Sequence, residues 1–210
     1  MSSDLVKALS ELQEEKALDI VRKLIDAGDD PLKIMDACGK AMEIVGKKYE
    51  DGVYFVPDLI YAGEILKGIS AEVKPHLGEG VDQKRLGQVI LGTVAGDIHD
   101  IGKDVVNLML DSNGFEVHDL GIDVPVEEFI EKIKETGATV VAMSGLLTMA
   151  FDSMKQTVDA IKEAGMRDQV KIMIGGSQVD EEVRVYTGAD TYGNDAMSAV
   201  NYAKQWLGGE

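Results

Sequence analysis

A bundle of four helices followed by a doubly wound, five-stranded parallel α/β sheet is the architecture this sequence predicts. Three observations predict it. Residues 1–75 place apolar residues at helical spacing and contain no convincing strand. From Gln88 onward, short apolar runs alternate with amphipathic segments, the grammar of repeated strand–helix units. Between the two, PHLGEGVDQKRLG holds three glycines and a proline and has no helical period. The expected division is a helical domain over 1–80, a linker over 81–87 and an α/β domain over 88–210.

Leu5, Leu9 and Leu12 recur at spacings of four and three, and Ala17, Ile20, Val21, Leu24 and Ile25 continue the stripe. Gly28-Asp29-Asp30-Pro31 is a stop and restart signal. A third helix carries Ile34, Met35, Cys38, Met42, Ile44 and Val45 until Asp51-Gly52 breaks it. A fourth begins around Pro57, a residue favoured in a first turn, and runs through Leu59, Ile60, Ile65 and Leu66 to about Pro75. Short connections make antiparallel packing the simplest arrangement.

In the second half, strands are expected over 88–93, 115–120, 139–144 and 170–174, with a weak one near 190–192. Helices are expected over 101–112, 126–136, 149–164, 180–186 and 196–207. Apolar strands without clean alternation indicate a parallel sheet covered on both faces. Such a flavodoxin-like sheet binds ligands beyond the carboxyl ends of its strands, so the chemistry belongs in the loops after strands 1, 3, 4 and 5.

Composition narrows the function. Twenty-one basic against 38 acidic residues give a net charge of −17. That charge repels phosphate backbones and anionic lipid and argues against generic nucleic-acid or membrane-surface binding. One cysteine, Cys38, excludes an intrachain disulfide framework and a cysteine-based zinc site. No apolar run reaches the roughly 18 residues of a membrane helix. The opening MSSDLVKALSELQEEK lacks a signal-peptide core, so a cytoplasmic location is expected.

The informative residues lie in the expected loops. The first reads Gly96-Asp97-Ile98-His99-Asp100-Ile101-Gly102-Lys103, a D-x-H-x-x-G pattern. The third reads Ser144-Gly145-Leu146-Leu147-Thr148, the fourth Gly175-Gly176, and the last contains Thr191-Tyr192-Gly193. In this order they resemble the Rossmann-like cobalamin-binding domain of methionine synthase and B12-dependent mutases. Tyr49-Glu50-Asp51-Gly52 and Tyr54-Phe55-Val56-Pro57-Asp58-Leu59 resemble the helical cap of methyl-carrying members. Cap plus cobalamin domain, over roughly residues 15–207, is similar to the small corrinoid proteins of methanogens and acetogens.

The resemblance implies a corrinoid cofactor with His99 as the lower axial ligand of its cobalt. It implies Asp97 as the partner of that imidazole and Ser144 as the next member of a proton relay. Asp100, Ile101, Gly102, Leu146, Thr148, Gly175, Gly176, Tyr192 and Gly193 would surround the cofactor. Phe55, Leu59 and Ile65 would shield its upper face, with a plain bundle core as the equally weighted reading of those three. The implied function is to carry a methyl group between a substrate-specific methyltransferase and an acceptor methyltransferase using tetrahydrofolate or coenzyme M. A reductive activase would be a further partner, and the chain alone would not turn over. The chemistry is coherent: a corrin supplies four equatorial nitrogens, and neutral imidazole is a suitable axial ligand. A carboxylate on the other ring nitrogen fixes its tautomer.

Other readings fit less well. Gly96…Gly102-Lys103 has five residues between its glycines and Asp104 where a P-loop needs Ser or Thr. His99-Asp100 lacks the further histidines of a metal phosphohydrolase. A receiver domain would not explain the helical half or the paired glycines. A cobalamin-based sensor would need a DNA-binding segment. A mutase small subunit would not usually carry this cap.

Overall fold

The computed structural model describes residues 2–76 and 85–208. Most of the linker expected over 81–87 lies outside the described residues. The chain forms two compact units, Met1–Lys84 with Ser112–Gly114, and Arg85–Asp111 with Phe115–Glu210.

The helical unit contains α1 (Ser2–Ser10), α2 (Glu14–Asp26), α3 (Pro31–Glu50) and α4 (Val56–Val73), followed by a short 3-10 turn at Lys74–His76. The Asp30 side chain caps α3 by accepting from the Leu32 amide at 3.0 Å, with Pro31 in the first turn. Asp58, in the first turn of α4, reaches back and accepts from the Phe55 amide at 2.8 Å. Leu5, Leu9, Ala17, Val21, Met42, Val45, Leu59, Ile65 and Ile69 fill the core. Three positions depart from the expected stripes. Leu12 lies in the turn after α1 with φ +58°, its amide bonded to the Leu9 carbonyl, so that stripe ends at Leu9. Ile44 and Ile60 are exposed.

The α/β unit has β1 (Gln88–Thr93), β2 (Glu116–Asp119), β3 (Val140–Ser144), β4 (Lys171–Gly175) and β5 (Thr191–Gly193). They form one sheet in the order β2-β1-β3-β4-β5, every neighbour parallel. Helices α5 (Ile101–Ser112), α6 (Val126–Thr136), α7 (Thr148–Glu163), α8 (Glu181–Thr187) and α9 (Ala196–Leu207) connect and complete it. The central strands are buried along nearly their whole length, as a sheet covered on both faces requires. β2 is shorter than the apolar run suggests, because it is an edge strand with a half-exposed pattern. After β1 the chain goes to one side of the sheet and after β2 it returns to the other, so β1 and β3 flank the switch point. Among the described residues no helix is long and apolar enough to cross a membrane.

Candidate functional site

β1 and β3 end level with each other, Thr93 opposite Ser144. The loops that leave them face each other across the switch point. The Val94 amide donates to the Ser144 carbonyl at 3.0 Å, and Gly96 then turns the chain at φ +84°. This delivers Asp97 into the interior, where its side chain is completely buried.

A buried carboxylate must find partners, and Asp97 finds four. Its Oδ1 accepts from the His99 amide at 3.0 Å and lies 2.6 Å from His99 Nδ1. Its Oδ2 accepts from the amides of Leu146 at 2.6 Å and Leu147 at 3.0 Å. Burial alone would push this carboxyl upward, but the amides of Leu147 and His99, the His99 ring and the Leu146 amide together hold it well below the usual carboxylate range. An ionised Asp97 accepts at Nδ1, so that nitrogen carries the imidazole proton. Nε2 is then the nitrogen with a free lone pair, on a side chain 48% exposed. One carboxylate thus fixes the tautomer and orientation of His99 and ties the β1 loop to the β3 loop.

Two further groups brace the loop, and the sequence reading overlooked both. Thr93 is wholly buried, and its Oγ1 donates to the His99 carbonyl at 3.0 Å. Asp123 accepts from the Gly96 amide at 2.7 Å through Oδ1, while its own amide donates to the Asp97 carbonyl at 3.0 Å. Asp123 has φ +51°, a conformation that Asp tolerates better than most residues. The available signals were a threonine ending an otherwise apolar strand and an Asp two residues after Gly121.

The Ser144 side chain stands apart from Asp97 in this structure. Among the described residues no hydrogen bond joins its side chain to Asp97, whose Oδ2 accepts from the Leu146 and Leu147 amides. Leu146 contributes through its amide. Thr148 begins α7 and is exposed, as is Asp100, whose carbonyl accepts from the Asp104 amide at 2.8 Å.

The glycines behave differently from one another. A Cβ on Gly102 would meet nothing within 4 Å, so the first turn of α5 has open space beside it. Gly176 has φ +152°, and a Cβ there would lie 1.9 Å from the Gly145 carbonyl oxygen. No side chain fits. Gly175 and Gly193 are register partners at the ends of β4 and β5, and a Cβ on Gly175 would lie 3.7 Å from the Gly193 oxygen. Tyr192 is half-buried against the core rather than displayed in the loop.

Around His99, Ile98, Ile101, Ile122, Leu147 and Met149 belong to the same set of loops and helix starts, and all are exposed. Only Ile101 was anticipated. Five apolar side chains in water beside one oriented imidazole describe a surface made for a broad apolar ligand. Among the described residues no group of three or more His, Cys, Asp or Glu could hold a metal ion. A lone imidazole suits a metal that arrives with most of its ligands already in place, as in a macrocycle. The residues present therefore fit a corrinoid.

In the helical unit the three expected shielding residues separate. Leu59 and Ile65 are fully buried and belong to the bundle core. Phe55 is 66% exposed, in company with Val53, Val56, Ile60 and Tyr61.

Residues 87–201 match the family profile described as B12 binding domain, and residues 2–74 match a second profile of the same description. The chain belongs to the corrinoid methyl-carrier proteins. This corrinoid protein is 41% identical to "Trimethylamine corrinoid protein 2" of Methanosarcina mazei, over 95% of its own length and 93% of the relative's. A solved cobalamin-binding protein from Desulfitobacterium hafniense is 38% identical, with a TM-score of 0.83 and 99% of each chain covered. The methanol:cobalamin methyltransferase complex MtaBC of Methanosarcina barkeri contains a chain 28% identical, with a TM-score of 0.85, over 99% of this chain and 79% of that one. The cofactor of the family is a corrinoid, and its members are carrier subunits rather than independent catalysts.

Proposed function

We propose that this corrinoid protein carries a methyl group between a substrate:corrinoid methyltransferase and a methylcorrinoid:acceptor methyltransferase, with His99 as the residue that would hold the cobalt. The bound corrinoid supplies a cobalt centre able to take a methyl group from one molecule and yield it to another. The observation that carries the reading is the Asp97–His99 pair, 2.6 Å apart, with Nδ1 engaged and Nε2 left for a metal. The relative named for trimethylamine and the neighbour in a methanol methyltransferase complex support the assignment of partners.

On this reading the protein's residues do four things. His99 Nε2 would hold the metal, with Asp97 on Nδ1 fixing the direction in which the ring points. Ile98, Ile101, Ile122, Leu147 and Met149 would supply apolar contact to the bound corrinoid. Gly102, Thr148, Gly175, Gly176 and Gly193 line the slot for the cofactor's lower tail. Phe55 belongs to the helical unit, which is proposed as the cap. Residues 1–80 act as the cap, 81–87 as the connection and 88–210 as the cofactor domain. A reductive activase restores the cofactor, and the protein works in the cytoplasm without nucleic acid or membrane, in keeping with its charge of −17.

The test is reconstitution of the anaerobically purified full chain with cobalamin. A base-off, histidine-on visible spectrum is expected. In the Co(II) form, electron paramagnetic resonance should show splitting from one axial nitrogen, lost in His99→Ala. Splitting unchanged in that variant removes His99 from the role, and no uptake by the wild type removes the carrier reading.

A further inference from the structure

Lys103 is a charged side chain that the proposed cycle does not use, in a place where a cation is disfavoured. It is the third residue of α5, whose N-terminal end repels positive charge. It is also only 3% exposed, and lysine is almost never so buried without partners. Its Nζ lies 2.6 Å from Asp119 Oδ2 and 2.7 Å from Asp104 Oδ1. Asp104 is the next residue on the same helix and is mostly exposed. Asp119 ends β2, so of the two Lys103 contacts it is the one to Asp119 that joins the helix to the sheet.

Asp119 passes the connection on. Its Oδ1 accepts from the Gly121 amide at 2.9 Å, and Oδ2 also accepts from Asn107 Nδ2 at 3.1 Å. The Gly121 carbonyl accepts from the Thr93 amide at 2.9 Å, and Thr93 Oγ1 donates to the His99 carbonyl. The chain from His99 to Lys103 closes the circuit. His99 is therefore enclosed in a hydrogen-bonded ring running through Lys103, Asp119, Gly121 and Thr93.

We infer that Lys103 and Asp119 are positioning residues for His99: their ion pair fixes the start of α5 against β2 and so holds the imidazole at ligating height. The inference rests on the proposed role of His99 as axial ligand. Asp97 orients the ring, while the Lys103–Asp119 pair restrains the backbone that bears it. With the pair broken, Thr93 and Asp97 still hold the loop at its start, but the first turn of α5 can drift and the imidazole spends more time away from the metal.

The experiment uses the full chain, reconstituted with cobalamin and reduced to Co(II), as wild type, Lys103→Met, Asp119→Asn and Asp104→Ala. Axial nitrogen splitting, total corrinoid bound and the melting temperature of the unloaded protein are read for each. Lys103→Met and Asp119→Asn should each lower the ligated fraction about tenfold, the usual effect of removing an outer-shell partner, while total corrinoid bound falls much less. Asp104→Ala should leave the ligated fraction unchanged, because Asp104 does not connect α5 to the sheet. If Lys103→Met does not fold, Asp119→Asn decides alone. Full nitrogen splitting in the folded variants overturns the inference. So does a loss of splitting only in proportion to corrinoid bound, since the ring would then be a general structural feature. A wild type that takes up no corrinoid, or takes it up without nitrogen splitting, defeats the underlying reading instead.

Discussion

Two glycines beside the candidate site, Gly102 and Gly176, differ in whether they have room for a side chain, which makes them a paired test. Gly176 needs its conformation for the fold itself, so Gly176→Ala should destabilise the unloaded protein by about 2–3 kcal/mol in urea melts. Gly102 has open space, so Gly102→Ala should leave stability unchanged or raise it by up to about 1 kcal/mol. If the cofactor's tail occupies that space, Gly102→Ala should nevertheless weaken cobalamin uptake, measured by equilibrium titration. Asp97 makes a prediction about acid. Its carboxyl titrates lower in the folded chain than in the unfolded one, where it lies near about 3.9. It thus contributes stability that is fully present above that pH and lost as pH falls. The stability gap between wild type and Asp97→Asn should hold above about pH 5 and narrow progressively as pH falls below about 4. On the helical side, Leu59→Ala should cost about 2–5 kcal/mol as a buried leucine. Phe55→Ala should stay within about 0.5 kcal/mol, as an exposed position does. Faster photolysis of the Phe55→Ala protein loaded with methylcobalamin would support its shielding role. An unchanged rate would leave Phe55 without one.

At the scale of elements, the punctuation in the sequence was legible wherever it was chemical. α5, α6, α9 and β1 have the bounds expected, because Gly, Pro, Asp and Asn mark their ends. Asp195 is one such mark: it accepts from the Ser198 amide at 2.7 Å and caps α9 next to the β5 loop. Asp195→Ala should cost about 1 kcal/mol, read as a lower midpoint in a urea melt. What was not legible depended on partners distant in sequence. β2 is short because it lies at the sheet edge, and its order in the sheet is not written in its residues. Leu12 fits a helical stripe by spacing, yet terminates α1 in a left-handed conformation. Leu59 and Ile65 could be core or surface by spacing alone, and only the packing of the bundle separates them from Phe55.

The whole chain divides into two units, and the residues proposed to hold the cofactor's lower side all belong to one of them. A fragment beginning at Arg85 should therefore fold and take up cobalamin without the helical half. Arg85 is the better start than Gln88, because its guanidinium donates to the Phe115 carbonyl at 2.8 Å and pairs with Asp111 at 2.9 Å. A fragment that is folded by circular dichroism yet binds no corrinoid would remove the site from this unit. The net charge of −17 acts at the same scale, favouring association with basic protein surfaces, and that association should weaken with added salt.

The sequence by itself determined the kinds of element, their order and the chemistry on display. Periodicity separates helix from strand, Gly and Pro separate the elements, and D-x-H-x-x-G names an imidazole with a carboxylate two residues away. These are local properties, readable from neighbours in the chain. The tertiary structure alone decided which groups complete the site. Asp97 meets the amides of Leu146 and Leu147 only because β1 and β3 lie side by side. Lys103 meets Asp119, and Thr93 the His99 carbonyl, through the same arrangement. A buried polar atom takes whichever partner the fold brings within hydrogen-bond reach, and that is settled by strand order rather than by sequence spacing.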